Sequence, residues 1–480
     1  MINLRMVGYL LGIILLIEAA FLVIPLIVAL IFAEELIPFL ATIAGLVAVG
    51  ATGVLQKPKN KSFYAKEGFI CVGAAWVLMS LFGALPFVIG GYIPNYIDAL
   101  FETVSGFTTT GASILTDIES LPRGILFWRS FTHWIGGMGV LMFMLAILPR
   151  DSGGSIFLLK AEVPGPTKGK IVPKLRETAK ILYGIYIVLT LTELVALLIA
   201  GLGFYDATVT SLATAGTGGF SVKNASILGY NNHAAEWIIA VFMLLFGVNF
   251  NIYFFILIKR AKDAFKSEEL RLYTAICAIA TVLVTVNTLN AFSSVADCIR
   301  TSFFQVTSIM STTGFVTVTN INAYPSFSKT ILVLLMVFGA CAGSTAGGLK
   351  ISRIIIIFKS ILREIKHMLR PRSVNVIKLD GEVVPEETVK ATVNYLGIYT
   401  ALLITTTLFV SIDGYSLETN LTATVSCLNN IGPFFGEMTN GTFTDFSILS
   451  KILLSLNMLF GRLEIMPMII LMSPNTWKKH

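Results

Sequence analysis

Charged residues are scarce in this sequence: they make up 13% of its 480 residues, while 55% of the residues are hydrophobic. A soluble chain carries about 25% charged residues. The composition therefore excludes an ordinary soluble protein and indicates one that crosses a membrane several times. The first hydrophobic stretch, residues 6–32, is longer than a signal-peptide core and has no clear cleavage site, so it is predicted to be a membrane helix.

Cysteine and histidine are also few. The five cysteines are scattered through apolar runs without a CxxC pair, which argues against a disulfide framework and against a thiolate metal site. The four histidines lie far apart, which argues against a histidine-based metal cluster. The spacing GxxxxGK[ST] of a P-loop does not occur. Because no coherent set of nucleophile, base and metal ligands is present, the chain is not predicted to be an enzyme.

The net charge of +7 could indicate binding to nucleic acid, but the positions of the basic residues favour a membrane explanation. Of the 35 lysine and arginine residues, 28 fall in alternate loops and at the two ends of the chain. Basic residues concentrate on the cytoplasmic side of membrane proteins. We therefore expect both termini in the cytoplasm, which requires an even number of crossings, and no nucleic acid partner. The predicted helices give ten crossings. The basic run over residues 350–372 is predicted to be the inner face of a helix end, which is also a candidate contact for anionic lipid or an acidic partner surface.

The chain is organised as four repeats behind an N-terminal hairpin of two helices, residues 6–33 and 36–55. Each repeat has a membrane helix, a short apolar segment, a stretch rich in Gly with Thr or Asn, and a second membrane helix. Crossing a bilayer takes about 20 apolar residues, so the short segment is predicted to be a half-helix that enters the membrane and stops. The predicted divisions are 1–60 for the hairpin and 61–172, 173–266, 267–385 and 386–480 for the four repeats.

A glycine follows each half-helix, and an acidic residue stands near each half-helix start. The glycines are Gly111, Gly218, Gly314 and Gly432, and the acids are Asp98, Asp206, Asp297 and Glu418. An acid suits the positive end of a helix dipole, so the electronegative end should point at the glycine. Irregular backbone at membrane depth is tolerated only inside protein or along a water-filled path. Extended backbone there presents carbonyl oxygens that suit a dehydrated monovalent cation.

These stretches are the predicted cation site, with mostly backbone carbonyl ligands. The residues are Thr108, Thr109, Thr110, Gly111, Gly216, Thr217, Gly218, Thr312, Thr313, Gly314, Asn429, Asn430, Ile431 and Gly432. The second stretch lacks the Thr-Thr-Gly pattern, which leaves its frame open by one residue. A single glycine per repeat is a shorter signature than the TVGYG loop of potassium channels, so weaker discrimination against sodium is expected.

The second helix of the third repeat is too long for one crossing. Residues 328–369 would form a helix of about 63 Å, whereas the bilayer core is about 30 Å thick. Its middle contains several glycines, each costing about 1 kcal/mol relative to Ala inside a helix: Gly339, Gly343, Gly347 and Gly348. We expect the helix to break here into a flexible gating loop, about residues 339–348, below the cation site. Close helix packing through small residues is the alternative.

Arg462 lies inside the last predicted helix, residues 447–472. A charge within a membrane segment is a functional candidate. It is predicted to face the pathway near the gating loop, where it donates hydrogen bonds to the carbonyl groups of the loop or raises a barrier to cations. A local ion pair with Glu464 or with another helix is the alternative.

At the glycine stretches the chain resembles the TrkH/TrkG/KtrB/HKT superfamily of potassium transporters. The matching motifs are the run from Phe101 to Ser113, Gly218-Gly219-Phe220-Ser221, Ser311-Thr312-Thr313-Gly314-Phe315 and Asn429-Asn430-Ile431-Gly432-Pro433. The N-terminal hairpin makes the chain more similar to the TrkH branch than to the shorter KtrB branch, and the resemblance covers essentially the whole chain.

The resemblance implies a homodimer with one pore per subunit and an intramembrane loop that gates it. It also implies a cytosolic ring of TrkA-type subunits whose nucleotide controls opening, so no organic cofactor is expected in this chain. The predicted function is uptake of the potassium ion across the cytoplasmic membrane of a prokaryote, driven by the membrane potential. Sodium- or proton-coupled secondary transport is the alternative; it would call for inverted repeats and acidic residues at the membrane midplane.

Overall fold

A computed structural model describes residues 3–58, 64–139, 175–318, 320–373, 375–437 and 442–478, and the regular secondary structure of this part of the chain is almost entirely helical. The long and half-length helices are α1 (Leu4–Ile31), α2 (Ile37–Leu55), α3 (Ala65–Gly83), α4 (Leu85–Ile89), α5 (Tyr96–Phe107), α6 (Arg123–Met138), α7 (Leu175–Ile199), α8 (Phe204–Ala215), α9 (His233–Phe246), α10 (Phe250–Leu257), α11 (Ala261–Phe265), α12 (Glu268–Thr288), α13 (Val295–Met310), α14 (Ser326–Val337), α15 (Ile351–Leu369), α16 (Glu386–Val410), α17 (Leu417–Asn429), α18 (Ile448–Arg462), α19 (Met466–Met472) and α20 (Pro474–Trp477). Strands β1 (Lys378–Leu379) and β2 (Glu382–Val383) form a small antiparallel hairpin.

Six helical stretches within the described residues are long and apolar enough to cross a membrane, and α9 with α10 makes a seventh when that bent pair is counted as one span. Helices α6, α14 and α18 are shorter, at 16, 12 and 15 residues. The sequence predicts the second helix of the first repeat over about residues 124–149. Residues 140–149 lie outside the described residues, as do the predicted divisions at 60 and 172. The predicted all-helical membrane fold is confirmed, whereas the count of ten crossings stays a prediction.

The four predicted half-helices are α5, α8, α13 and α17, and each has its predicted acid in the first turn. Side chains that accept a hydrogen bond from the first turn start three of them: Asn95 for α5, Ser294 for α13 and Ser416 for α17. Such caps satisfy amide groups that have no partner inside the helix. The half-helices therefore start where the sequence places polar capping residues.

Two predicted helices are interrupted. The sequence predicts the second helix of the second repeat over about residues 235–259, but this helix breaks between Phe246 and Phe250 and bends by 89°. The side chain of Asn249 accepts a hydrogen bond from the Asn251 amide and so starts a new helix in a new direction. The helix predicted over 447–472 ends at Arg462 and resumes at Met466. Pro467 stands in the first turn of α19, a position where proline is tolerated because no internal hydrogen bond is lost.

The long stretch of the third repeat breaks as predicted, and the break is wider than expected. Helix α14 ends at Val337 and α15 begins at Ile351, so the intervening loop covers residues 338–350. Its two ends lie side by side, because the Gly339 amide donates to the Leu349 carbonyl at 2.8 Å. The alternative of one continuous, closely packed helix is therefore wrong.

Candidate ion pathway

Each half-helix ends in the same backbone cap. The capping residues have a left-handed conformation with φ between 54° and 58°; they are Thr109, Thr217, Thr312 and Asn430. The next amide donates to the carbonyl five residues earlier at 2.9 Å in all four repeats: Thr110 to Ser105, Gly218 to Ala213, Thr313 to Ser308 and Ile431 to Ser426. This is the long hydrogen bond of a Schellman cap. The chain therefore leaves all four helices along equivalent paths.

The four capped chains form ring segments 1 to 4, defined as residues 108–111, 216–219, 311–314 and 429–432. Each segment ends in a glycine with positive φ, namely Gly111, Gly219, Gly314 and Gly432. A Cβ atom built on each glycine would collide with a carbonyl oxygen of the next segment: Gly111 with Gly218 at 2.0 Å, Gly219 with Thr313 at 2.0 Å, Gly314 with Ile431 at 1.9 Å and Gly432 with Thr110 at 2.7 Å. The segments thus form a closed ring in chain order, and only glycine permits so close an approach.

Side chains join the first and last segments of the ring. The Asn430 amide group donates to the Thr110 hydroxyl and to the Met458 carbonyl, both at 2.9 Å. Thr110 also shares a hydrogen bond with the Thr108 hydroxyl at 2.8 Å. These contacts close the ring between two repeats that lie more than 300 residues apart in the sequence.

His133 of α6 joins the first and second repeats. Its Nδ1 atom lies 2.8 Å from the Gly106 carbonyl, and its Nε2 atom lies 3.2 Å from the Phe220 amide. A carbonyl oxygen can only accept and an amide can only donate, so these contacts place the ring proton on Nδ1. The imidazole is fully buried and lies between the end of α5 and Phe220, the residue that follows Gly219.

The loop over residues 338–350 lies directly against the ring. The Gly347 amide donates to the Thr312 hydroxyl at 2.8 Å, and a Cβ atom on Gly347 would lie 2.5 Å from the Asn429 carbonyl oxygen. The Gly343 carbonyl accepts from the Phe250 amide at 3.0 Å, at the break between α9 and α10. Glu269 accepts from the Ala342 amide at 2.7 Å. The loop is therefore held by the second, third and fourth repeats at once.

Arg462 connects this loop with the first repeat. Its Nη1 atom donates to the Thr345 carbonyl at 2.5 Å, and its Nη2 atom donates to the Gly137 carbonyl at 2.7 Å. The carboxylate of Glu464, two residues along, pairs with Arg353 at the start of α15. Arg462 thus donates to one carbonyl group of the loop, and Glu464 has an ion-pair partner on another helix. A role of Arg462 in gating stays a prediction.

The comparisons with known proteins agree with this architecture. The family model for TrkH, described as a cation transport protein, matches residues 38–479. The Trk system potassium uptake protein TrkH of Escherichia coli is 36% identical over 483 residues, covering 99% of both chains. The crystal structure of the potassium transporter TrkH from Vibrio parahaemolyticus superposes with a TM-score of 0.89 at 31% identity, covering 99% of this chain and all of that one. The chain belongs to the TrkH family.

Two further relatives match over most of the TrkH-family chain. The Trk system potassium uptake protein TrkH of Halomonas elongata is 33% identical and covers 99% of this chain and all of its own. The Trk system potassium uptake protein TrkG of Escherichia coli is 32% identical over 95% of this chain and 94% of its own. The family and the apolar helices together make this a multi-pass membrane protein.

The second ring segment of this TrkH-family chain lies one residue further along the sequence than predicted. Gly219, and not Gly218, has the positive φ and the position equivalent to Gly111, Gly314 and Gly432. Gly218 supplies instead the carbonyl oxygen against which Gly111 packs. A signal for this frame was present in the sequence, because Gly219-Phe220 matches the Gly314-Phe315 pair of the third repeat.

The other predicted ring residues lie in the four ring segments, and the predicted gate glycines lie in the loop over 338–350. What the sequence reasoning missed is the set of polar side chains behind the ring. No role behind the ring was predicted for His133, nor for Glu102 of α5 and Arg129 of α6, which are all buried. A signal for the two residues of α6 was present, because residues 129 and 133 are one helical turn apart and form a polar face.

Proposed function

We propose that this protein carries potassium ions into the cell through the ring of four segments, driven by the membrane potential. The observation that carries the proposal is the closed ring of contacts: the glycine at the end of each ring segment packs against a backbone carbonyl group of the next segment, and segment 4 packs against segment 1. Carbonyl oxygens held at a common axis replace the hydration shell of a potassium ion. The electronegative ends of α5, α8, α13 and α17 face the same ring and lower the cost of a cation there. The relatives named as potassium transporters favour potassium as the permeant ion.

The gate in this proposal is the loop over residues 338–350 together with Arg462. The loop lies against ring segments 3 and 4, so it obstructs the cytoplasmic side of the ring in this conformation. The guanidinium of Arg462 adds a positive charge at the same level and stabilises the loop through its carbonyl groups. Opening requires the loop to leave the Thr312 hydroxyl and the Arg462 guanidinium.

The proposed assembly is a homodimer in the inner membrane of a prokaryote, with one pathway per subunit and both termini in the cytoplasm. A cytosolic TrkA-type subunit binds the nucleotide and controls whether the loop over residues 338–350 leaves the ring. The phrase "Trk system" in the names of the relatives supports a multi-component system. The basic face of α15, with Lys359, Arg363 and Lys366, is a suitable contact for anionic lipid or for an acidic partner surface.

The proposal is tested with the purified protein in liposomes that contain potassium as the only permeant cation. Under the proposal, an imposed inside-negative potential drives uptake of rubidium tracer without a sodium or proton gradient. Uptake that stays at background until a sodium or proton gradient is imposed supports coupled secondary transport instead. Protein-free liposomes provide the baseline.

The site assignment is tested with Gly111→Ser. The added side chain meets the Gly218 carbonyl oxygen, so we expect loss of potassium flux or a changed ratio of potassium to sodium flux. Unaltered flux and an unaltered ratio in this variant would remove the ring from the pathway. Growth of a potassium-uptake-deficient bacterium at low potassium gives an independent readout.

A further inference from the structure

A buried ion pair holds the outer end of ring segment 1. The carboxylate of Glu102, in the middle of α5, lies 2.7 Å from the Arg129 guanidinium of α6, and the two side chains are 0% and 1% exposed. The same carboxylate accepts from the Ser113 hydroxyl at 3.0 Å and from the Ile114 amide at 3.0 Å. Ser113 and Ile114 are the second and third residues after Gly111, so the pair fixes the path of the chain as it leaves the ring.

The same guanidinium reaches the chain that leaves ring segment 2. Arg129 Nη1 donates to the Ser221 carbonyl at 3.2 Å, and the guanidinium carbon lies 4.1 Å above the centre of the Phe220 ring. Ser221 and Phe220 follow Gly219. One planar, rigid cation thus contacts the exits of two adjacent ring segments at the same time.

The other three repeats have no charged residue at the equivalent position. Glu102 stands seven residues before the left-handed capping residue of α5, and the same offset gives Thr210, Gln305 and Ala423 in the other half-helices. Gln305 is fully buried, and neither of its side-chain polar atoms has a hydrogen-bond partner among the described residues. The half-helix and its cap therefore form without an ion pair, so the pair is not a requirement of the fold.

Desolvation makes a buried ion pair a poor source of stability, so its presence calls for another reason. The contacts indicate that the pair fixes a distance. Glu102 accepts from the Ser113 hydroxyl and Arg129 donates to the Ser221 carbonyl, so the pair holds Ser113 and Ser221 at a fixed separation. Carbonyl oxygens that are kept from moving inward suit a large cation better than a small one, because a small ion needs its ligands closer. The effect is confined to one side of the ring, between segments 1 and 2.

We propose that the Glu102–Arg129 pair is a positioning element that sets the separation between the exits of ring segments 1 and 2 and thereby favours potassium over sodium and lithium. The inference rests on the proposed function, since it assigns ion preference to the same ring. Glu102 and Arg129 do not contact the ion; they act through Ser113, Ile114 and Ser221.

The test uses Glu102→Gln in the full-length protein reconstituted in liposomes. Glutamine has the shape of glutamate and occurs naturally at the equivalent position 305, so the half-helix is expected to form. We expect the potassium-to-sodium permeability ratio to fall by about threefold to tenfold, as for the loss of a charge-assisted contact, while potassium still passes.

Ser113→Ala removes one hydrogen bond to Glu102 and should shift the ratio in the same direction by less. Arg129→Lys keeps the positive charge but loses the planar guanidinium with its several donors. The potassium-to-sodium permeability ratio of this variant should therefore lie between those of Glu102→Gln and the unaltered protein.

The matched control is Gln305→Leu, which removes an unpartnered polar side chain at the equivalent position of the third half-helix and should leave the ratio unchanged. An unaltered ratio in both Glu102→Gln and Ser113→Ala would overturn the inference, and so would an equal shift in Gln305→Leu. Failure of the unaltered protein to carry any monovalent cation would instead overturn the proposed function. Thermal unfolding of each variant in detergent identifies a ratio change that comes only from a loss of stability.

Discussion

The Arg462 side chain donates a hydrogen bond to the carbonyl oxygen of Thr345 at 2.5 Å. This contact joins the end of α18 to the middle of the loop that interrupts the third repeat. The two residues are 117 positions apart in the sequence. Because Arg462 also donates to the Gly137 carbonyl, it links three repeats on the side of the ring where the loop over residues 338–350 lies.

Replacing Arg462 with Ala should open the pathway in the absence of any cytosolic partner. Each charged hydrogen bond contributes about 1.5–3 kcal/mol, so we expect partner-independent potassium flux to rise by about tenfold or more. The flux is measured as rubidium uptake into liposomes. Lys451→Ala is the matched control, because Lys451 is a buried basic residue of the same helix that pairs with Asp98 at 2.8 Å, away from the loop. Equal flux from Arg462→Ala and the unaltered protein would show that this residue does not hold the gate.

Gly219→Ala should abolish conduction, although alanine adds only one carbon atom. That atom would lie 2.0 Å from the Thr313 carbonyl oxygen and would force ring segments 2 and 3 apart. Gly91→Ala separates this effect from backbone strain. Gly91 has a similar φ of 70°, and among the described residues no atom beyond its two chain neighbours lies within 4 Å of the place that its Cβ would occupy. Both variants incur a left-handed strain of about 1–2 kcal/mol, but only Gly219→Ala should lose potassium flux. Equal flux in the two variants would mean that the ring tolerates a side chain.

Thr312→Val tests the contact between the ring and the loop. The substitution keeps the shape of the side chain and removes the hydroxyl that accepts from the Gly347 amide. The amide is then left buried without its partner, which costs about 1–3 kcal/mol, and the loop should leave the ring more readily. We expect a higher partner-independent flux in Thr312→Val and a normal flux in Thr312→Ser, which retains the hydroxyl. A normal flux in both variants would contradict the role of this hydrogen bond.

Exchange of the charges of Arg353 and Glu464 tests the ion pair below the loop. Arg353 also lies over the Tyr395 ring, with its guanidinium carbon 4.0 Å from the ring centre. Removing one partner of a buried pair costs about 3–5 kcal/mol, so Arg353→Glu and Glu464→Arg should each lower the thermal unfolding temperature. The double variant should recover part of the loss, as a double-mutant cycle reveals for residues in contact. Additive losses in the double variant would show that the two residues are not coupled.

The sequence alone determined the fold class and the plan of the repeats. Composition, the lengths of the apolar runs and the positions of Asp98, Asp206, Asp297 and Glu418 were sufficient, because membrane crossing and helix capping depend on local chemistry. The break in the third repeat was also predictable, since Gly339 to Gly348 cannot sustain a helix of that length at low cost.

The tertiary structure alone decided which atoms meet at the ring. The choice of Gly219 over Gly218 depends on which glycine packs against the Thr313 carbonyl, a contact between residues about 95 positions apart. The break after Phe246 also involves the third repeat, since the Phe250 amide donates to the Gly343 carbonyl, and the pairing of Glu102 with Arg129 joins two separate helices of the first repeat. Local sequence propensity does not predict such contacts, because close packing and buried charge depend on how the segments assemble and not on any one segment.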